Sequence, residues 1–218
     1  VDARSSDIFI SWLPLYHDMG LIGAWMGSLY FGMKLVLMSP TTFLAKPQRW
    51  LWAIHRYRGT LSAAPNFAYD QSLRRIDDAH ISGLDLSSWR VAFNGAEPVS
   101  AMTVEKFIGR YGNYGFKPET LTPVYGLAEC CVGLTFPPLG RGIKRDRVNR
   151  QSFQSAGIAM EEDLADGISL VFVSNGLPLP GHEIRIVDTS GRELPERQEG
   201  RVQFRGPSAT SGYYKNLS

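Results

Sequence analysis

The sequence predicts an α/β fold: a mostly parallel sheet layered with helices, followed by a small β-rich subdomain of distorted, barrel-like character. Three observations carry this. Short apolar runs alternate with segments of helical period over the first two-thirds of the chain. Gly, Pro and Ser punctuate the junctions. After Ser169 the runs change to apolar/polar alternation. The predicted division is an α/β subdomain over 1–137, a link over 138–168 and the β-rich subdomain over 169–218.

In chain order, "SWLP" reads as the end of a strand. "LIGAWMGSLYFG" reads as a buried helix ending at Gly32, and "MKLVLM" as a buried strand stopped by Ser39-Pro40. A membrane span competes for Leu21 to Met38, which is apolar but for Ser28 and Lys34. Three glycines, a lysine and the lack of flanking basic asymmetry favour the helix and strand. "PQRWLWAIHRYRG" has Pro47 as a start, Leu51, Ile54 and Tyr57 on one side and Gly59 as a stop, the pattern of a helix. "TLSAAP" and "WRVAFNG" are strands joined by a polar link through Asp85. Ser100 caps a helix carrying Val104, Phe107, Ile108 and Tyr111, and "TLTPVYG" closes the series. Strands "SLVFVSN", "HEIRIVD" and "GRVQFRG" follow, with Asp188 and Gly191 of "DTSGREL" supplying turn chemistry. The stretch between the two modules is rich in glycine and charge and has little periodicity.

Composition narrows the partners. Twenty-three Lys+Arg against 21 Asp+Glu leave a net charge of +2, too balanced for a nucleic acid or an anionic membrane surface. The two cysteines, Cys130 and Cys131, are sequence neighbours and cannot staple distant segments, so a reducing, cytoplasmic setting is expected. "VDARSSDIF" has no apolar export core and reads like the middle of a protein.

In open parallel sheets, ligands bind beyond the carboxyl ends of the strands. Two predicted strands end in suggestive turns: "WRVAFNG" runs into Gly95-Ala96-Glu97-Pro98, and "TLTPVYG" into Tyr125-Gly126-Leu127-Ala128-Glu129. A flat ring, small residues that admit backbone to a ligand, and two carboxylates suit a nucleotide with a metal. Plainer readings stand beside this one. Glu97 could favour the N-terminus of the coming helix, Tyr125 could be core, and Glu129 could be a solvated turn residue. His17-Asp18 could be a helix cap. His55, His80 and His182 lack metal-ligand spacing and read as structural or surface residues. "RGIKRDRVNR" reads as a solvated loop.

Taken in order, "SWLPLYHDMGLIG", "SAAPNFAY", "FNGAEPV", "VYGLAE", "GLPLPGHEIRIVD" and "EGRVQFRGPSATSGYY" closely resemble the adenylate-forming (ANL) superfamily, and within it the fatty acyl-AMP ligases. The resemblance implies a ligase that joins a carboxylate to ATP, releases pyrophosphate and passes the acyl group to a thiol. It implies that Tyr125 lies against adenine, with Asn94, Gly95, Ala96 and Glu97 and then Gly126, Leu127 and Ala128 around the nucleotide. Glu129 would hold Mg²⁺, and His17 would face the reacting carboxylate. Trp12, Met19, Gly20, Leu21 and Gly23, with Asn66, Phe67 and Tyr69, would line an apolar acyl tunnel. Ala128 stands where many relatives carry Thr, as in the fatty acyl-AMP ligases. Forty-six residues separate Glu129 from Gly176, a length similar to the insertion of that subgroup, over 138–168.

The partners implied are a long-chain fatty acid, an acyl carrier protein or the carrier domain of a polyketide or nonribosomal synthase, and the rest of the chain's own polypeptide. Neither nucleic acid nor a transmembrane segment is expected. No phosphate loop of the family type, ribose-binding "TGD" or C-terminal domain with its lysine is found in the sequence, so a partial enzyme, inactive alone, is expected. Two alternatives stay open: a long-chain acyl-CoA synthetase, and a non-catalytic nucleotide- or acyl-binding module.

Overall fold

The computed structural model describes residues 2–162 and 169–216; positions 163–168 of the predicted link and 217–218 lie outside the described residues. Five parallel strands form the main sheet: β1 (Ile8–Ser11), β2 (Lys34–Leu37), β3 (Leu61–Ala64), β4 (Val91–Asn94) and β5 (Leu121–Pro123). Their order is β2-β1-β3-β4-β5. The chain therefore winds outward from β1 to β2, then reverses past β1 to β3 and on to β5. That reversal is the switch point at which open parallel sheets leave a crevice.

One face of the sheet is closed by helices. These are α2 (Pro40–Ala45), α3 (Gln48–Tyr57), α4 (Asn66–Arg75) and α5 (Ala101–Tyr111). They bury an aromatic cluster around Trp50, whose ring meets Phe43, Tyr69 and Trp89 edge-on at 5.3 to 5.8 Å. Such edge-to-face pairs add about 0.5–1.5 kcal/mol each beyond the area they bury. The cluster is tied to the sheet by one hydroxyl. Ser62 Oγ accepts from Trp50 Nε1 at 2.9 Å and donates to the Ile10 carbonyl at 2.6 Å, all fully buried.

The predicted strands and helices of this half are present, and Ser100 does cap α5, accepting from the Thr103 amide. Four local readings change. Ser39-Pro40 starts a helix, since Ser39 accepts from the Thr42 amide and proline suits the first helical position. The segment from Asn66 is a helix, burying Ala68, Tyr69 and Ser72. The left-handed residue ending α3 is Arg58 (φ 52°), while Gly59 is small because a Cβ there would meet Ile10 Cγ1 at 2.4 Å. Tyr57 is 37% exposed, apart from the buried Leu51 and Ile54.

The other face carries the helix predicted from "LIGAWMGSLYFG". Its first part, Met19–Met26, is π-helical, with the Gly27 amide reaching back to the Ile22 carbonyl; α1 (Gly27–Phe31) continues it and Gly32 ends it at φ 65°. It is not a buried helix. Only Gly20, Ala24 and Ser28, a stripe of small residues that allows close approach to the sheet, are buried. Trp25, Met26, Leu29, Tyr30 and Phe31 are exposed. Likewise β2 is half-exposed, because it is the edge strand. Among the described residues no helix is long and apolar enough to cross a membrane.

Beyond β5 lie three separate two-stranded antiparallel sheets. β6 (Thr135–Phe136) pairs with β9 (Leu177–Pro178), β7 (Arg145–Asn149) with β8 (Ser169–Val173), and β10 (Glu183–Val187) with β11 (Arg201–Arg205). The predicted link is thus more ordered than its composition suggests. "RGIKRDRVNR" supplies β7 and is no simple loop, and α6 (Arg150–Ala156) follows, with Asn149 accepting from the Ser152 amide. Asp188 accepts from the amides of Ser190 and Arg192, with Gly191 at φ 82°, so the expected turn forms.

Two outcomes test this packing. Ser62→Ala leaves the Trp50 indole N–H buried and unpaired, and should lower unfolding free energy by about 1–3 kcal/mol in chemical denaturation. Hydrogen bonds from Ser87, aided by the Arg58 guanidinium, hold the Asp85 carboxyl down at about 2, against 3.8 ordinarily. A depressed carboxyl stabilises the fold fully above its unfolded value and loses that contribution as pH falls through the folded one. The stability gap between Asp85→Asn and the native chain should therefore be open at about pH 7 and close between about pH 4 and 2 in urea titrations.

Candidate active site

Parallel register puts Ser11, Ala64, Asn94 and Pro123 at one edge of the sheet. A cavity of about 590 Å³ lies against the sheet face that the helix Met19–Phe31 covers. Its floor is the strand residues Phe9, Leu61, Ala63 and Phe93. Its far wall is Met19, Gly23, Gly27 and Phe31, with Met33 beyond. Its rim is Tyr16, His17 and Asp18 on one side and Ala96 with Val124 to Ala128 on the other. The lining is mostly apolar, and the polar groups gather at the rim.

The loop after β1 brings His17 there. Asp18 accepts from the Met19 amide at 2.7 Å, as an N-cap does, and its Oδ1 lies 2.9 Å from His17 Nδ1. Capping and lining therefore coexist in one pair. Gly23 faces the cavity with nothing within 4 Å of an added Cβ.

The turn after β5 is folded tightly on itself. Tyr125 exchanges backbone hydrogen bonds with Thr135, so its ring is carried on a bridged, not a loose, segment. A Cβ on Gly126 would lie 1.8 Å from the Val132 carbonyl oxygen, and one on Gly95 would lie 2.8 Å from Val124 Cγ2. These glycines are small because protein, not ligand, crowds them. Ala96 (φ 69°) and Val132 (φ 74°) both line the cavity in left-handed conformations that cost non-glycine residues energy, a form of strain that concentrates at binding sites.

The two carboxylates have different partners. Glu97 accepts from the Phe67 amide, so it serves the N-terminus of α4, not that of the helix that follows it, and it is not on the cavity lining. Asn94 is buried at the end of β4, with its Nδ2 3.4 Å from Asn66 Oδ1; Asn66 Oδ1 also accepts from the Ser100 amide. Glu129 sits half-buried on the turn Ala128–Cys130, is not on the cavity lining, and accepts from the Tyr213 phenol. That hydrogen bond holds the Glu129 carboxyl below the usual carboxylate range and pushes the Tyr213 phenol up.

Of the residues assigned to an acyl tunnel, Met19 and Gly23 are on the cavity. Leu21 is not on its lining. Trp12 is buried on the opposite, helical face, stacked on Phe43 at 4.0 Å. Asn66, Phe67 and Tyr69 belong to α4 on that same face, and Tyr69 donates to the Phe93 carbonyl at 2.8 Å. Gly20 faces the Pro14 carbonyl, 2.2 Å from where its Cβ would be. The walls that sequence reasoning missed are Phe9, Leu61, Ala63, Phe93, Gly27, Phe31 and Met33. The i, i+4 spacing of Gly23 and Gly27 holds the signal for the helix; the strand residues leave none, because both faces of their strands are apolar.

No group of three or more His, Cys, Asp or Glu among the described residues could hold a metal on its own. One half-buried carboxylate next to Ala128 of the rim instead fits Mg²⁺, which usually takes one or two carboxylates and completes its shell with water and substrate phosphate oxygens.

The profile of the AMP-binding enzyme family matches residues 1–214. The chain belongs to that family. It is 35% identical over 215 residues to TtuA, a medium-chain-fatty-acid acyl-carrier-protein ligase of Teredinibacter turnerae, covering 97% of this chain and 33% of that protein. It is 34% identical to the long-chain-fatty-acid–AMP ligase FadD32 of Mycolicibacterium smegmatis, covering 98% and 35%. It superposes with a TM-score of 0.92 on a fatty acyl-adenylate ligase from L. pneumophila in complex with acyl adenylate and pyrophosphate, at 37% identity, covering 98% of this chain and 37% of that one. The chain thus spans about a third of the length of the curated relatives it matches. The parallel sheet with small antiparallel sheets after it is the fold of the N-terminal region of adenylate-forming enzymes.

Gly126→Ala should force the Tyr125 turn away from Val132, since a backbone oxygen cannot rotate aside. A loss of about 1–3 kcal/mol in unfolding free energy by chemical denaturation is the expected outcome.

Proposed function

We propose that this chain forms the acyl and adenylate site of a fatty-acid ligase. A long-chain carboxylate and ATP give acyl-AMP and pyrophosphate there, and the acyl group then passes to the phosphopantetheine thiol of a carrier protein. The observation that carries the proposal is one cavity that is apolar along the helix Met19–Phe31 and polar where His17 and the Tyr125–Ala128 turn share its rim. The fatty-acid ligases and acyl-adenylate complex to which the chain is similar support the same reading.

In this reading the alkyl chain lies along Gly23, Gly27, Phe31 and Met33, where each buried methylene contributes about 0.8 kcal/mol. His17 hydrogen-bonds the carboxylate. One carboxylate oxygen attacks the α-phosphorus, a new P–O bond forms, and the bond to the bridging oxygen breaks as pyrophosphate leaves with its electron pair. Two anions must meet for this, so dipoles held in place before reaction stabilise the transition state more than mobile water would. Tyr125 packs on the adenine, with the Asn94–Glu97 turn along its edge, and Gly126, Leu127 and Ala128 pass beside the phosphates. Glu129 would hold Mg²⁺, whose charge would offset that of the phosphates. Trp12, Gly20, Leu21, Asn66, Phe67 and Tyr69 then act as supports behind the site, not as its walls.

The same reading assigns 1–137 to the adenylate and acyl subdomain, 138–168 to an insertion that favours a carrier thiol over CoA, and 169–218 to the β-rich subdomain, with the reaction in the cytoplasm.

The test is pyrophosphate release and hydroxylamine trapping by the full-length protein with a long-chain acid, supplied with either a carrier protein or CoA. Glu129→Ala and His17→Ala should each lower the rate on the order of 100-fold. Full adenylation by Glu129→Ala would overturn the assignment, and equal use of CoA would point to an acyl-CoA synthetase.

A further inference from the structure

Glu129 is not left loose at the rim. The segment that follows β11 runs back across its turn and touches it at three places. Ser208 Oγ lies 3.3 Å from both Sγ and the carbonyl oxygen of Cys130. The Thr210 amide donates to the Glu129 carbonyl at 2.8 Å. The Tyr213 phenol donates to Glu129 Oε1.

The near end of this segment is anchored independently. Ser208 Oγ is 2.7 Å from His182 Nε2, and His182 Nδ1 is 3.2 Å from the Pro180 carbonyl. Nδ1 donates to that carbonyl, which only accepts, and Nε2 pairs with the Ser208 hydroxyl, whose single proton is shared between Nε2 and the Cys130 carbonyl. The ring lies so close to Gly206 that a Cβ there would be 2.1 Å from its Cδ2. A pinned imidazole thus fixes Ser208, Ser208 fixes the path to Thr210, and that path sets where Tyr213 can reach. His182, with no metal-ligand spacing in the sequence, has its use here.

We infer that Tyr213 is a positioning residue for Glu129: its phenol, carried on the anchored Ser208–Thr210 segment, holds one carboxylate oxygen so that the other is presented to a cation in a fixed direction. Otherwise a half-buried glutamate on a turn samples several rotamers, and a cation would have to select one of them. Tyr213 is 63% exposed, so its hydroxyl is not needed to fill a core.

This inference rests on the reading of Glu129 as the carboxylate that holds Mg²⁺, and the experiment separates the two. In the full-length protein, Mn²⁺ binding is measured by calorimetry with a non-hydrolysable ATP analogue present, for Tyr213→Phe, Glu129→Gln and the double variant. Tyr213→Phe should weaken Mn²⁺ binding about tenfold, the size expected for one hydrogen bond to a charged group. It should raise the Mg²⁺ concentration for half-maximal pyrophosphate release by a similar factor while leaving the KM for the acid unchanged. The double variant should bind no more weakly than Glu129→Gln alone. Native Mn²⁺ affinity in Tyr213→Phe, with Glu129→Gln impaired, would overturn the positioning role alone. Native affinity in Glu129→Gln would overturn the metal assignment and this inference with it.

Discussion

One buried hydroxyl joins the parts of this molecule that have to agree. Ser62, in the middle of β3, takes the indole proton of Trp50 and gives its own to β1. It therefore links the helical layer to the two strands between which the chain reverses direction. Its burial is tolerable only because both its donor and acceptor capacities are used. The aromatic cluster around Trp50 then commits the helices to one face of the sheet. The opposite face is shared by one glycine-loosened helix and the turn after β5 with Phe136, and the cavity lies between these and the sheet.

The strands and most helices of the first two-thirds were legible because a parallel sheet writes short apolar runs bounded by turn residues. The same property hid the walls of the site. Strands covered on both faces are apolar throughout, so nothing in "IFIS", "LSAA" or "VAFN" says that Phe9, Ala63 and Phe93 face a hollow while Ile10, Ser62 and Ala92 face helices. Apolar character also overstated burial: Trp25, Leu29 and Tyr30 belong to a run rich enough to suggest a core, yet only its small residues pack inward. β7 was missed for the converse reason, although its partner β8 was read from "SLVFVSN", because a strand carrying Arg145, Asp146 and Arg147 has no apolar alternation to read.

The rim residues fared differently. Ala96 and Tyr125 to Ala128 were found from their place after predicted strands and His17 from the family resemblance, and the cavity brings them together. Glu97 and Glu129 looked equivalent in sequence. Their geometry divides them, since one carboxylate is engaged by an amide at the start of α4 and the other by a phenol that arrives from 84 residues further on. No local pattern could reveal that second partner, because it depends on how the β10–β11 hairpin folds back over the sheet.

The π-helical stretch Met19–Met26 has a consequence for how such a wall can vary. A π turn contains one residue more than an α turn, so losing a single residue there would let the backbone relax to regular α geometry. The residue lost would be the surplus one, so the helix beyond it would keep its orientation and Gly27 and Phe31 would stay on the hollow. In a regular α-helix, where each residue subtends about 100°, the same loss would turn everything beyond it by roughly that angle. This wall can therefore shorten by one codon without recasting the contour of the pocket past the deletion.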